Sequence, residues 1–136
     1  MARLPHEENE ASVLGFSREK LFDGVHMVRV ALRRGESSTR HLHTRTRDVF
    51  FVMSGRLTIT VHLPHPQRMG AYRSFSSSPV EVQQSGDGVV IHRVFATPGE
   101  VVMIEPGTVH SATNLDADPC HFVCIEGVGE YDFVSA

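Results

Sequence analysis

The chain has 136 residues, with 16 acidic and 13 basic side chains and a formal charge of −3. That length suits one domain, since two independent units would each lack a sizeable core. A hydrophobic share of 40% and a charged share of 21% exclude general disorder and fibrous classes. Basic residues are nearly all arginine, and none are concentrated as a nucleic-acid surface requires, so no nucleic-acid partner is expected.

The first ten residues mix Arg3, Pro5, His6 and three acids, without the apolar run of a secretory signal. No later run reaches membrane-spanning length, so the expectation is a cytoplasmic protein with no membrane partner. Residues 1–12 read as a tail or an edge strand exchanged with a partner.

Beyond this, helical periodicity is nearly absent and short β-rich runs recur. Strands are predicted over residues 24–32, 38–43, 48–53, 56–63, 89–95, 101–104, 110–114 and 120–125. Gly and Pro between them, as in Ser54-Gly55, Pro98-Gly99 and Pro106-Gly107, supply the backbone angles of tight turns. Many short strands at close spacing define an all-β sandwich or barrel. Residues 64–88, rich in Ser, Gly and Pro, read as a long loop insertion of the kind that is functional or mobile. Cys120 and Cys124 lie four apart in an apolar strand, hence on one face, and are read as buried thiols. Phe50, Val52, Met53, Met103 and Phe122 are expected to fill the barrel or pack its outer sheet.

The chemistry concentrates in two stretches. Residues i and i+2 of a strand share a face, so His41 and His43 present two imidazoles to one enclosed space, and Asp48 returns a carboxylate on the neighbouring strand. The Pro106-Gly107 turn feeds a strand that brings in His110. Imidazole suits Fe, Mn, Ni, Cu and Zn, and a carboxylate broadens the site toward harder ions. His41, His43, His110 and Asp48 are therefore the candidate metal ligands. Of the six other histidines, His62 is the candidate substrate contact or proton relay, provided its strand turns it inward.

These stretches resemble the two motifs of the cupin superfamily. The first motif is Gly, five residues, His-x-His, three or four residues, Glu, six residues, Gly, matched from Gly35 through His41 and His43 to Gly55 with Asp48 for Glu. The second is Gly, five residues, Pro-x-Gly, two residues, His, three residues, Asn, matched at Gly99, Gly107, His110 and Asn114, with Glu105 where the family has Pro. The resemblance implies a single cupin domain over residues 1–136, a jelly-roll or double-stranded β-helix barrel, holding one divalent transition metal ion such as Fe, Zn, Mn or Ni. Aspartate reaches about 1.5 Å less far than glutamate, so Asp48 is expected to meet the ion directly or through water.

The resemblance further implies a metal-dependent enzyme on a small organic substrate, leaning to dioxygenase-like chemistry. A Lewis-acid cyclase or isomerase, such as a polyketide cyclase, is the first alternative and a non-catalytic metal- or ligand-binding cupin the second. A homodimer is implied as well.

Overall fold

The computed structural model of the chain describes residues 15–64 and 70–136. Among the described residues, twelve strands form two six-stranded antiparallel sheets. In chain order they are β1 Gly15–Phe22, β2 Val25–Leu32, β3 His41–Leu42, β4 Arg47–Ser54, β5 Leu57–Pro64, β6 Tyr72–Ser74, β7 Glu81–Gln84, β8 Val89–Ala96, β9 Val101–Ile104, β10 Val109–Thr113, β11 Cys120–Gly127 and β12 Val134–Ser135. One sheet runs β1-β2-β11-β4-β9-β6 and the other β12-β3-β10-β5-β8-β7. Apart from the β1–β2 and β7–β8 hairpins, successive strands alternate between the sheets, wrapping the chain around one interior. Among the described residues, no helix is long and apolar enough to cross a membrane.

Period-two patterning decides what that interior contains. Phe50 and Val52 of β4, Leu57, Ile59, Val61 and Leu63 of β5, Val102 and Ile104 of β9, and Cys120, Phe122 and Cys124 of β11 are all buried and form one apolar cluster. The same alternation turns Asp48, His110 and Glu126 inward, where each is at most 5% exposed. Met53 has the opposite parity to Phe50 and Val52 and is 57% exposed, so it does not fill the barrel. Both cysteines are buried and free, in line with their shared strand face.

The glycines and the asparagine of the two motifs are architectural. Gly35 N donates to Asn114 O and Asn114 N to Glu36 O, while the Asn114 amide donates to Leu32 O and Asp118 O, tying two turns together. Gly55 has a φ of 75°, and a Cβ there would stand 2.5 Å from Pro119 O, so only glycine fits. Gly107 N donates to His43 O over 2.7 Å, which ties the second motif's turn to the first motif's histidine pair.

Four strands escape the sequence reading. β1 and β12 lie at edges, whereas β6 and β7 fall inside residues 64–88. Residues 65–69 lie outside the described residues, and the rest of that stretch is no uniform loop: β6 pairs with β9 and β7 with β8, so it completes one edge of each sheet. Its polar, Ser-rich composition reflects edge strands that bury little, β7 being exposed throughout. Tyr72 is the exception: its Oη and Nδ1 of His92 are 2.5 Å apart, joining the two sheets. The predicted strand over residues 38–43 shrinks to β3, because Ser38 bonds to Ala112 through its backbone N–H and its hydroxyl rather than by a regular ladder. Residues 1–12, read as a tail or exchanged strand, lie outside the described residues.

Candidate metal centre

His41 stands at the start of β3, His43 just past its end, Asp48 in β4 and His110 in β10, directly opposite His41 in the strand register. Their ring centroids are 4.9 Å apart for His41 and His43, 4.5 Å for His41 and His110, and 5.8 Å for His43 and His110. All four residues are at most 5% exposed, and one donor atom from each lies within 4.8 Å of the others. Donors on opposite sides of an ion are about 4.2 Å apart at ordinary metal–nitrogen distances, so a small inward adjustment would complete a coordination shell.

The second nitrogen of each ring fixes its tautomer. Nδ1 of His41 donates to Thr39 O (2.6 Å), that of His43 to Asp132 O (2.5 Å) and that of His110 to Thr108 O (2.8 Å). Carbonyl oxygens only accept, so each Nδ1 carries hydrogen and each neutral ring presents its Nε2 lone pair. Those lone pairs meet a carboxylate: Asp48 Oδ2 is 3.0 Å from His110 Nε2 and 3.1 Å from His43 Nε2. Among the described residues, Asp48 Oδ1 and His43 Nε2 have no hydrogen-bond partner. Lone pairs so arranged repel unless a proton or a cation lies among them, and the donor set fits a divalent transition ion.

The electrostatics agree. Burial, reinforced by His110, pushes the His41 imidazole down to about 3 and keeps it neutral. Burial also opposes charging His43, but the Asp48 carboxylate outweighs it and raises that imidazole to about 8. Asp48 is desolvated as well, yet the imidazoles of His110 and His43 hold its carboxyl well below the usual range. The surroundings of His43 and Asp48 thus favour positive charge between them, as a bound metal cation would supply.

Beside the cluster lies a cavity of about 40 Å³. His41, Asp48 and Glu126 face it, and Phe16, Val28, Val30, Phe50 and Phe122 form its apolar wall. Glu126 sits opposite Asp48 in the register, and its Oε1 is 2.8 Å from an Arg18 guanidinium nitrogen. Burial, then the Asp48 charge, raise the Glu126 carboxyl to about 7.

The sequence did not single out Glu126, although its parity with Cys120, Phe122 and Cys124 marks it as inward-facing. Nor did it single out Tyr131, Asp132 and Phe133, which follow β11 without periodicity. Tyr131 packs 5.1 Å from His43, and Phe133 stacks on His41 at 4.5 Å with 21° between the planes. His62 is not part of this site. Val61 and Leu63 point into the core, so the strand turns His62 outward into a cleft with Arg40 and Asp87. The condition attached to its candidacy, an inward orientation, is not met.

An all-β barrel of two antiparallel sheets, with three imidazoles and a carboxylate converging in its interior, is the class that fold and site define. The sequence pattern of the cupin family matches residues 19–128, and the chain belongs to that family. No curated protein matches it closely enough to count. Among solved structures, an uncharacterised conserved protein with a double-stranded β-helix domain from Klebsiella pneumoniae is 21% identical, with a TM-score of 0.59 over 89% of this chain and 77% of that one. Oxalate oxidase is 20% identical, with a TM-score of 0.58 over 82% of this chain and 46% of its own. A variant of Bacillus subtilis oxalate decarboxylase is 18% identical, with a TM-score of 0.55 over 83% of this chain and 24% of that one; that decarboxylase carries Mn(II) centres. The chain therefore spans less than half the length of either oxalate enzyme, and these likenesses show the fold.

Proposed function

We propose that this chain is a metal-dependent enzyme acting on a small, oxygen-bearing organic molecule, with oxidative, dioxygenase-like chemistry the first reading. The observation that carries it is the convergence of three tautomer-fixed Nε2 atoms and Asp48 Oδ2 at the edge of a small, mostly apolar cavity. A divalent transition ion held by His41, His43, His110 and Asp48 supplies Lewis-acid polarisation of a bound oxygen atom and, when redox-active, electrons for oxygen chemistry.

The chain's own residues do the rest. Asp48 brings negative charge that balances the cation, and burial keeps His41 neutral and available as a donor. The phenylalanine and valine wall limits water around the reacting molecule, which strengthens electrostatic contacts there. Glu126, buried at the cavity's edge, is placed to hold or pass a proton through its carboxyl.

Cavity size orders the alternatives. At roughly 10–15 Å³ per water, 40 Å³ corresponds to about three waters, room for a two- to three-carbon molecule rather than a fused-ring polyketide. That oxalate oxidase and oxalate decarboxylase share this fold supports a compact, oxygen-rich substrate.

The test is oxygen uptake by metal-loaded protein across a panel of small hydroxy, oxo and dicarboxylic acids. The reading expects uptake with at least one acid, abolished in His43→Ala. Turnover without oxygen consumption would move the assignment to Lewis-acid chemistry, and metal binding with no turnover to a binding protein.

A further inference from the structure

The segment after β11 lies outside both histidine motifs, yet it touches each member of the first motif's pair. Asp132 does so in two ways. Its carbonyl accepts the Nδ1 hydrogen of His43, and its carboxylate accepts from Thr44, the next residue, through both the backbone N–H (2.8 Å) and the hydroxyl (2.5 Å). Phe133 lies flat against His41, and Tyr131 packs against His43, with the Arg18 guanidinium 3.9 Å from its ring centre. The chain then runs back along β3, with Val134 paired to Leu42 and Ser135 to His41. Ala136 closes the strap by exchanging two hydrogen bonds with Arg40.

We propose that residues 131–133 are a clamp that sets the orientation of the His41 and His43 imidazoles, with Asp132 as its positioning residue, so that metal retention depends on a strap distant in sequence from both motifs. β3 makes the need evident. It is two residues long, has one register pair with β10, and ends before His43. So short a strand leaves His41 at its very start and His43 on irregular backbone beyond it, where ring orientation is free to vary unless something else restrains it. The Asp132 carboxylate pins the strap to Thr44, and that pin holds the Asp132 carbonyl where His43 needs its acceptor. Partners of this kind keep a ligand's tautomer and tilt fixed, and losing one typically weakens metal affinity about 10- to 100-fold.

This inference rests on the reading of His41, His43, His110 and Asp48 as ligands, and the experiment separates the two. Co(II) affinity of the full chain is measured by competition with a chromophoric chelator, together with the visible spectrum of the Co(II) form and the melting temperature of the metal-free protein. Asp132→Ala is expected to lose at least tenfold in affinity and to shift the Co(II) bands. Asp132→Asn is expected to recover most of both, because its amide oxygen still accepts from the Thr44 N–H and the Thr44 hydroxyl can turn to accept from its NH₂. Phe133→Leu, which keeps bulk but removes the stacked ring, tests the His41 side of the clamp with the same readouts. Affinity and spectrum unchanged in Asp132→Ala and Phe133→Leu, with or without a lower melting temperature, would overturn the clamp and leave the ligand assignment standing. Failure of the unaltered protein to bind Co(II) would overturn both.

Discussion

At Asp48 a carboxylate stands one methylene short of the glutamate in the family pattern, yet its Oδ2 reaches within 3.1 Å of two imidazole nitrogens. The backbone makes up the difference. β4 runs beside β11 and β9 with Asp48 in register between Glu126 and Ile104, placing its short side chain at the cluster itself. Replacing Asp48 with Asn removes the charge but keeps the shape, and metal affinity should fall at least tenfold, or about 1.4 kcal/mol, by chelator competition. Asp48→Glu should retain the ion, since the adjoining cavity can take one methylene. His62→Ala should leave affinity unchanged, its side chain being turned away from the cluster; a loss as large as that of Asp48→Asn would contradict the strand parity on which its exclusion rests. Glu105, the other departure from the family pattern, makes a two-bond pair with the Arg47 guanidinium at 2.5 and 2.7 Å. Arg47 is 45% exposed, so Glu105→Ala should cost less than about 1 kcal/mol in denaturant unfolding.

Among the elements, those set by local rules were legible in the sequence. β2, β4, β5, β8, β9, β10 and β11 announce themselves by apolar alternation and bounding turns, and His41, His43 and His110 by fixed spacing. The residues that escaped notice owe their positions to tertiary contact. β6 and β7 are edge strands with little to bury, β12 has two residues, and the Asp132 clamp forms only when the chain returns to β3. His62 shows the limit of spacing without parity: its neighbours Val61 and Leu63 already claim the inward face. Gly55 illustrates a turn that both levels agree on. Gly55→Ala combines a strained φ of 75° with a backbone oxygen 2.5 Å from the new Cβ, so it should destabilise by several kcal/mol or prevent folding. A loss under about 0.5 kcal/mol in urea unfolding would mean that the β4–β5 turn rearranges freely.

For the whole molecule, the two sheets meet at the cluster as well as in the apolar core. Asp48 belongs to one sheet and His41 and His110 to the other, so a cation bound by all of them cross-links the barrel. A ligand that binds only the folded state stabilises it by about 2.7 kcal/mol at a hundredfold excess over its dissociation constant, which for a chain of this size raises the melting temperature by roughly 10 °C. Saturating Mn(II), Fe(II), Co(II) or Zn(II) should produce a shift of that order, and His110→Ala should abolish it. The same shift in His110→Ala would place the bound ion elsewhere on the chain.

The central claim is that three imidazoles and one carboxylate, drawn from β3, β4, β10 and the turn after β3, hold a single cation. Elemental analysis of protein purified without chelators, beside His43→Ala prepared identically and shown to be folded, tests it most directly. The account predicts close to one transition-metal ion per chain in the unaltered protein and almost none in the variant; an equal metal content in both would contradict it.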